Sequence, residues 1–402
     1  MLVKLSRRAQ SVQPSPTLAI TARAQAMRAE GKDVISLSAG EPDFPTPEHV
    51  RKAAIEAIES GFTRYTATAG TPELRKAIAE KHRRENGQDY DPDTEIVASV
   101  GAKHAIYNAI QVLVDEGDEV LIPAPYWVSY PEMVRLAGGT PVLVPCRAED
   151  DFVVQASEIE ARITERTRLL VLNSPSNPTG AVYPRRALEA IAEVLRRHPQ
   201  VGVISDDIYE HLVFTGEPFA NILHAAPDLR DRTVVINGLS KSFSMTGWRI
   251  GWALGPAEVI GAMRRLQDQS TSNPTSITQK AAIAALRGGL ESVETMRKAF
   301  DERRRFVQRR LAEIPGVNCP EIGGAFYAFF DVRPLLDRRF CGEPLGGSSA
   351  RFCELLLEEF LVATVPGSAF GAEGFVRLSF ATSLAELEKG LDRLERFVRS
   401  LE

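Results

Sequence analysis

No two cysteines in this 402-residue chain stand close enough to form a metal or redox motif. Cys146, Cys319, Cys341 and Cys353 are scattered, without a CxxC pair. A disulfide framework needs cysteine density in a short chain, so the expectation is a reducing compartment and no zinc site. No apolar run reaches the ~18 residues of a membrane-spanning helix. Residues 1–16 are basic and polar with no apolar core. That argues against a signal peptide and leaves the cytoplasm as the expected location. A basic excess is also lacking: Lys plus Arg number 48, Asp plus Glu 53, and the net charge is −5. General nucleic-acid binding is therefore not expected. GxGxxG, Walker A and GxSxG patterns are absent, which lowers dinucleotide-binding, P-loop and α/β-hydrolase readings. No internal repeat or low-complexity segment is visible.

What is present is ordinary globular composition, 44% hydrophobic and 25% charged, able to bury a sizeable core. At ~150 residues per domain, two or three domains are expected. Strand-like apolar runs at 96–100, 120–122, 142–144, 169–172, 201–205 and 234–236 alternate with amphipathic stretches at 103–114, 130–137 and 185–197. Short, nearly continuous apolar strands between helices predict a parallel sheet covered on both faces. The C-terminal third reads differently. A long charged helix over 292–311 includes Arg303-Arg304-Arg305, read as a solvated face. An aromatic strand (325–330), a Gly/Ser-rich loop (342–349), a helix (351–360), a strand (375–380) and a terminal helix (384–401) follow. This predicts a second, smaller α+β domain on which the first ~45 residues pack. The first strong helix is expected at 47–60, with Thr46 as N-cap, Pro47 at N1 and Gly61 as stop.

Five segments follow strand patterns and carry polar groups. The densest, 237–251, reads Asn-Gly-Leu-Ser-Lys-Ser-Phe-Ser-Met-Thr-Gly-Trp-Arg-Ile-Gly. A lysine just past a buried strand sits at the carboxyl edge of the sheet, where α/β proteins bind ligands. Desolvated there, Lys241 can lose its proton and attack a carbonyl, while the neighbouring hydroxyls and Arg249 suit a phosphate. A Ser-rich loop with a surface lysine is the alternative. The glycines 247, 251 and 255 signal close backbone packing rather than a membrane dimer motif. In Ser205-Asp206-Asp207-Ile208-Tyr209-Glu210-His211, two acids ending a strand need a cationic partner, a metal or a helix dipole. Asn173 to Gly180 is a turn signal that also places the Asn177 amide. Gly101-Ala102-Lys103 opens a helix whose start suits phosphate. Pro125 to Tyr130 is an aromatic cluster, including Trp127, suited to packing or stacking.

Together these segments, from Ala39-Gly40-Glu41-Pro42-Asp43-Phe44 to Arg377-Leu378-Ser379, closely resemble the class I aminotransferases of the fold-type I pyridoxal-phosphate enzymes. The resemblance is greatest to the bacterial aspartate aminotransferases that carry a lysine on the phosphate-side helix. It implies an α/β fold with a mostly parallel seven-stranded sheet in a large domain (46–295), and a smaller α+β domain built from 1–45 and 296–402. It implies pyridoxal 5′-phosphate, a homodimer, and amino-acid and 2-oxo-acid substrates, without membrane or nucleic-acid partners.

By resemblance, Lys241 is the lysine that links to the cofactor and then moves a proton. Asp206 pairs with the pyridine nitrogen, Tyr209 and Asn177 hold the ring oxygen, and Trp127 stacks on the ring. Gly101, Ala102, Ser240 and Arg249 form the phosphate cup, which Tyr65 reaches from the neighbouring subunit. Arg377 clamps the substrate α-carboxylate with Asn177 and the backbone of Gly40. Lys103 takes the distal carboxylate of aspartate or glutamate, or else faces phosphate or solvent. The stretch 269–274 offers no arginine for that task. Gln13 stands where relatives often have a basic residue, which disfavours prephenate. The expected reaction is transfer from aspartate to 2-oxoglutarate. Aromatic, prephenate or alanine transamination, or a sulfur-amino-acid lyase of the same fold, are the rivals.

Overall fold

The computed structural model describes residues 3–402. Its largest sheet contains β2 (Ile96–Ser99), β3 (Glu119–Ala124), β4 (Thr140–Pro145), β5 (Thr167–Asn173), β6 (Gly202–Asp206), β7 (Thr233–Gly238) and β8 (Gly251–Leu254). The strand order is β2-β8-β7-β6-β5-β3-β4, and only β8 runs antiparallel to its neighbours. This is the α/β architecture expected, with the seven strands mostly parallel. β2, β7 and β8 are buried along their whole length, so their uninterrupted apolar runs are the pattern of strands covered on both faces. The helix Arg185–Arg197 shows the complementary pattern, burying Leu188, Ile191, Ala192, Val194 and Leu195 on one stripe.

β8 has no counterpart in the sequence reading, because its glycine-rich approach reads as loop. Gly251 lies opposite Gly238, and a Cβ there would come within 2.4 Å of the Ala102 nitrogen. The glycine therefore permits close backbone packing, as its spacing suggests. Gly247 has open space instead.

Three smaller sheets lie outside this array among the described residues. β1 (Ile35–Ser36) pairs in parallel with β12 (Val362–Ala363). β9 (Tyr327–Asp331), β13 (Val365–Pro366) and β14 (Phe375–Ser379) form an antiparallel sheet in the order β13-β14-β9. The expected 342–349 loop begins in a small hairpin of β10 (Arg339–Phe340) and β11 (Glu343–Pro344). The helix Pro16–Ala29 packs on β12 and β13, and Asp33 pairs with Lys389 and Arg393 of the terminal helix. The first helix, Arg7–Ser11, lies instead against the helix Ser129–Leu136, where the Gln13 N–H donates to Glu132 at 3.2 Å.

Two local expectations fail for tertiary reasons. The helix Glu48–Glu59 is capped by Pro47 and makes no side-chain cap bond. Thr46 donates instead to the Ser244 carbonyl and accepts from the Trp248 indole. Gly61 does follow the helix, at φ +75°. Nor is the 303–305 run a solvated face: the side chains of Arg303 and Arg304 are only 11% and 12% exposed, while Arg305 is 70% exposed. Among the described residues, no helix is long and apolar enough to cross a membrane.

Candidate active site

The carboxyl ends of β2, β3, β5, β6 and β7 deliver loops to one cavity of about 290 Å³, at the edge where open α/β sheets bind ligands. Of the sequence-predicted residues, Gly40, Ala102, Lys103, Trp127, Asn177, Asp206, Tyr209, Ser240, Lys241, Arg249 and Arg377 line it. Gly101 caps the helix Ala102–Leu113 at φ +86°, where a Cβ would press on the Arg249 guanidinium. Only Tyr65 stands apart, 92% exposed on the surface.

Lys241 is partly buried, and its Nζ donates to the Gly40 carbonyl at 2.5 Å. Burial pushes its pKa down to about 8, helped by Arg377 and Arg249 and opposed by Glu41 and Asp206. An amine so placed is part neutral near pH 7–8, as a nucleophile or general base must be.

Asp206 ends β6 in full burial. Its carboxylate accepts from the Tyr130 hydroxyl at 2.6 Å and, more loosely, from the Ile208 N–H. Burial raises its pKa to about 6 against the opposing pull of Tyr130, Ile208 and Lys241. The following residues form a turn rather than a helix, so the acids do not serve a helix dipole. They also diverge. Asp207 accepts from Ser205 and Asn221, and Glu210 pairs with Lys81. A metal shared by Asp206, Asp207, Glu210 and His211, one way of satisfying the two acids, therefore has no common centre. The ligand atoms of Glu210 and His211 gather instead with Glu85, and Lys81 pairs with both glutamates.

Arg377 in β14 is 2% exposed. One terminal nitrogen donates to Asn177 and the other to the Ser38 carbonyl, both at 2.8 Å, while its Nε has no partner. Its guanidinium lies between the rings of Tyr327 and Phe370, with centroids at 4.6 and 4.9 Å. No acid pairs with it among the described residues, an expensive state for a buried cation unless a ligand supplies the charge. Lys103 places its Nζ 4.9 Å from the Trp127 ring centroid, and desolvation with nearby Arg249 lowers its pKa. Arg249, at φ +53°, donates to the Thr246 carbonyl. The cavity is thus lined by four cationic side chains and one buried acid near the lysine.

Sequence reasoning missed Tyr130 and Tyr327. Tyr130 belongs to the aromatic cluster read as packing. The Tyr327 hydroxyl meets that of Tyr209 at 2.8 Å. Strand alternation places Tyr327 on a face but does not reveal its partner.

A family model described as aminotransferase class I and II matches residues 32–394. An aspartate/prephenate aminotransferase of Nitrosomonas europaea is 50% identical over 98% of this chain and 99% of its own. An aspartate aminotransferase of Geobacillus stearothermophilus is 49% identical over 99% and 100%. Among solved structures, the aspartate aminotransferase of Rhizobium meliloti superposes with a TM-score of 0.96 at 46% identity, covering both chains fully. That of Thermus thermophilus with maleate gives 0.92 at 45% identity, over 98% of this chain and 100% of the other.

Proposed function

The chain belongs to the class I and II aminotransferases, and from that premise we propose that it moves the amino group of aspartate to 2-oxoglutarate with pyridoxal 5′-phosphate as cofactor, in a ping-pong cycle. The observation that carries this reading is Arg377, a buried arginine without an acidic partner among the described residues, in the same cavity as Lys241 and Lys103. A dicarboxylate supplies a charge for each of the two outer cations. The maleate of the Thermus thermophilus structure is such a dicarboxylate.

The residues fit the cofactor. A phosphate suits Arg249, Ser240 and the start of the helix behind Gly101 and Ala102. A buried carboxylate at Asp206 suits a protonated ring nitrogen, and its pairing would favour the ionised acid. When bound, the cofactor supplies the electron sink for loss of the Cα proton. The protein does the rest. Lys241, able to give up the ammonium form, would hold the cofactor through its amine and would serve as general base and acid for the Cα proton. Tyr209 and Asn177 would hold the cofactor's ring oxygen, and Trp127 would cover its ring. Arg377, with Asn177 and Gly40, orients the α-carboxylate by a fork that a lysine lacks. Lys103 takes the distal carboxylate.

This reading divides the chain into 46–295, which contains the large sheet, and 1–45 with 296–402, tied by β1–β12 and the Asp33 ion pairs. It also includes a cytoplasmic homodimer in which exposed Tyr65 reaches the partner's phosphate site. Prephenate is the second reading, favoured by the naming of the Nitrosomonas europaea relative. Gln13 carries no charge, and its backbone engages the acidic Glu132, which disfavours an added carboxylate there.

A donor panel on pure protein tests the reading. Aspartate and glutamate should convert the bound cofactor's absorbance, and Lys241→Ala should abolish turnover. Lys103→Ala should lower kcat/KM for aspartate about tenfold or more and leave alanine unchanged. Intact aspartate turnover in Lys103→Ala would remove the distal-carboxylate role. Pyruvate and ammonia released without a keto-acid acceptor would point to a lyase.

A further inference from the structure

The loop from Gly40 to Phe44 touches the reactive lysine at one end and a long helix at the other. At the near end, the Gly40 carbonyl accepts from Lys241, and Glu41 accepts from the Thr246 hydroxyl. At the far end, Asp43 receives both terminal nitrogens of Arg303, at 2.7 and 2.9 Å, from the helix Glu291–Ala312. The pair is a fork on a carboxylate, the geometry that fixes orientation as well as distance. It is also shielded: the Arg303 guanidinium lies 5.2 Å from the Phe44 ring centroid and 5.5 Å from that of Phe300.

The same residues connect to Lys241 by a second route. Phe44 meets Phe300 edge-on at 5.7 Å, Phe300 lies 5.4 Å from Phe326, and the Lys241 Nζ sits 5.8 Å from the Phe326 centroid. Loop and aromatic wall both run from one arginine to one amine.

We propose that Arg303 is a positioning residue for the transamination site: its fork on Asp43 holds the 40–44 loop so that the Gly40 carbonyl meets the Lys241 amine. The proposal rests on the reading of Lys241 as the reactive amine. An exposed ion pair contributes little to overall stability, but here the Arg303 side chain is only 11% exposed beneath two rings, and the pair acts on the placement of a backbone group. Glu41, Asp206, Arg249 and Arg377 also face Lys241 electrostatically, and they remain when Arg303 is changed.

The test uses the cofactor-loaded enzyme carrying Arg303→Gln, Asp43→Asn, both together, or Arg303→Lys. Limited proteolysis within residues 40–44 should be faster in each single variant. A small misplacement at a reacting group is costly, so kcat should fall about tenfold while Tm changes little. Losing the carbonyl disfavours the ammonium, so the pH midpoint of kcat, which reports Lys241 once substrate has freed its amine, should move down. The double variant should be no worse than either single one, because both remove one interaction. Arg303→Lys should recover part of kcat. Unchanged loop cleavage and pH midpoint in the single variants would overturn the proposal, as would additive losses. Lys241→Ala separates the two readings: if it keeps turnover, the lysine assignment fails whatever the Arg303 and Asp43 variants show. If it is inactive and loop cleavage and pH midpoint are unmoved in those variants, the clamp alone fails.

Discussion

The Tyr130 hydroxyl donates a 2.6 Å hydrogen bond to the Asp206 carboxylate, and both groups are buried. Tyr130 also stands edge-on to Trp127, with ring centroids 5.2 Å apart. One tyrosine therefore braces both the buried acid and the ring assigned to cover the cofactor.

Tyr130→Phe removes the donor and keeps the ring. The hydrogen bond favours the ionised carboxylate, so its loss lets burial raise the Asp206 pKa further above about 6. The acid limb of the kcat/KM profile should move to higher pH. The deficit should be about tenfold on the acid limb and smaller at pH 8, following the worth of a charge-assisted bond. A pH–rate profile checks this, and a uniform deficit at all pH values would show that Tyr130 acts through packing alone.

Arg377→Lys keeps the charge and loses the planar fork. Asn177 and the Ser38 carbonyl now receive separate terminal nitrogens, which a single ammonium cannot reproduce. We expect kcat/KM for aspartate to fall about a hundredfold, with maleate binding weakened by a similar factor. Calorimetric titration of maleate into both proteins measures this. Maleate affinity equal to that of the parent would remove Arg377 from the carboxylate site.

Lys81→Met tests the buried network behind the site. Glu210 accepts from Lys81, from Asn86 at 3.1 Å and from Asn237 at 2.8 Å, and Asn237 holds the start of the loop carrying Lys241. Removing the lysine leaves a buried carboxylate without its main partner, which should cost about 3–5 kcal/mol at neutral pH. Burial would raise the Glu210 pKa, but Lys81, His211 and His82 outweigh it and hold it well below the usual carboxylate range. A carboxylate depressed in the folded state adds stability above its unfolded pKa of ~4.3 and loses it as pH falls toward the folded value. The parent should therefore lose stability below about pH 4.3. The variant should lose less over that range, so denaturant melts of the two should converge on acidification. A constant gap would contradict the linkage.

Much of the site was legible because its chemistry sits at strand ends. Asp206 closes β6, and Lys241 follows β7 by three residues, so apolar runs followed by polar residues marked the cavity before any contact was known. Lys103 and Arg249 were legible as cations near a helix start and a glycine turn. The failures share one cause. Thr46, Arg303 and Tyr327 take partners far along the chain, at Ser244, Asp43 and Tyr209. Local rules rank an N-cap for Thr46 and a solvated face for Arg303, and tertiary contacts override both.

The sequence by itself determined the α/β class, the alternation that builds the parallel sheet, and the polar residues at its carboxyl edge. Hydrophobic period and chain order encode all three locally. Tertiary structure alone decided how β8 inserts antiparallel beside β7, which hydroxyl meets Asp206, and that Arg377 is buried with no acid beside it among the described residues. Each of these depends on distant segments: β8 lies between β7 and the far earlier β2, Tyr130 and Asp206 are 76 residues apart, and Arg377 and Asn177 are 200 apart. Their pairing follows from the packing of the whole core, and no local pattern records it.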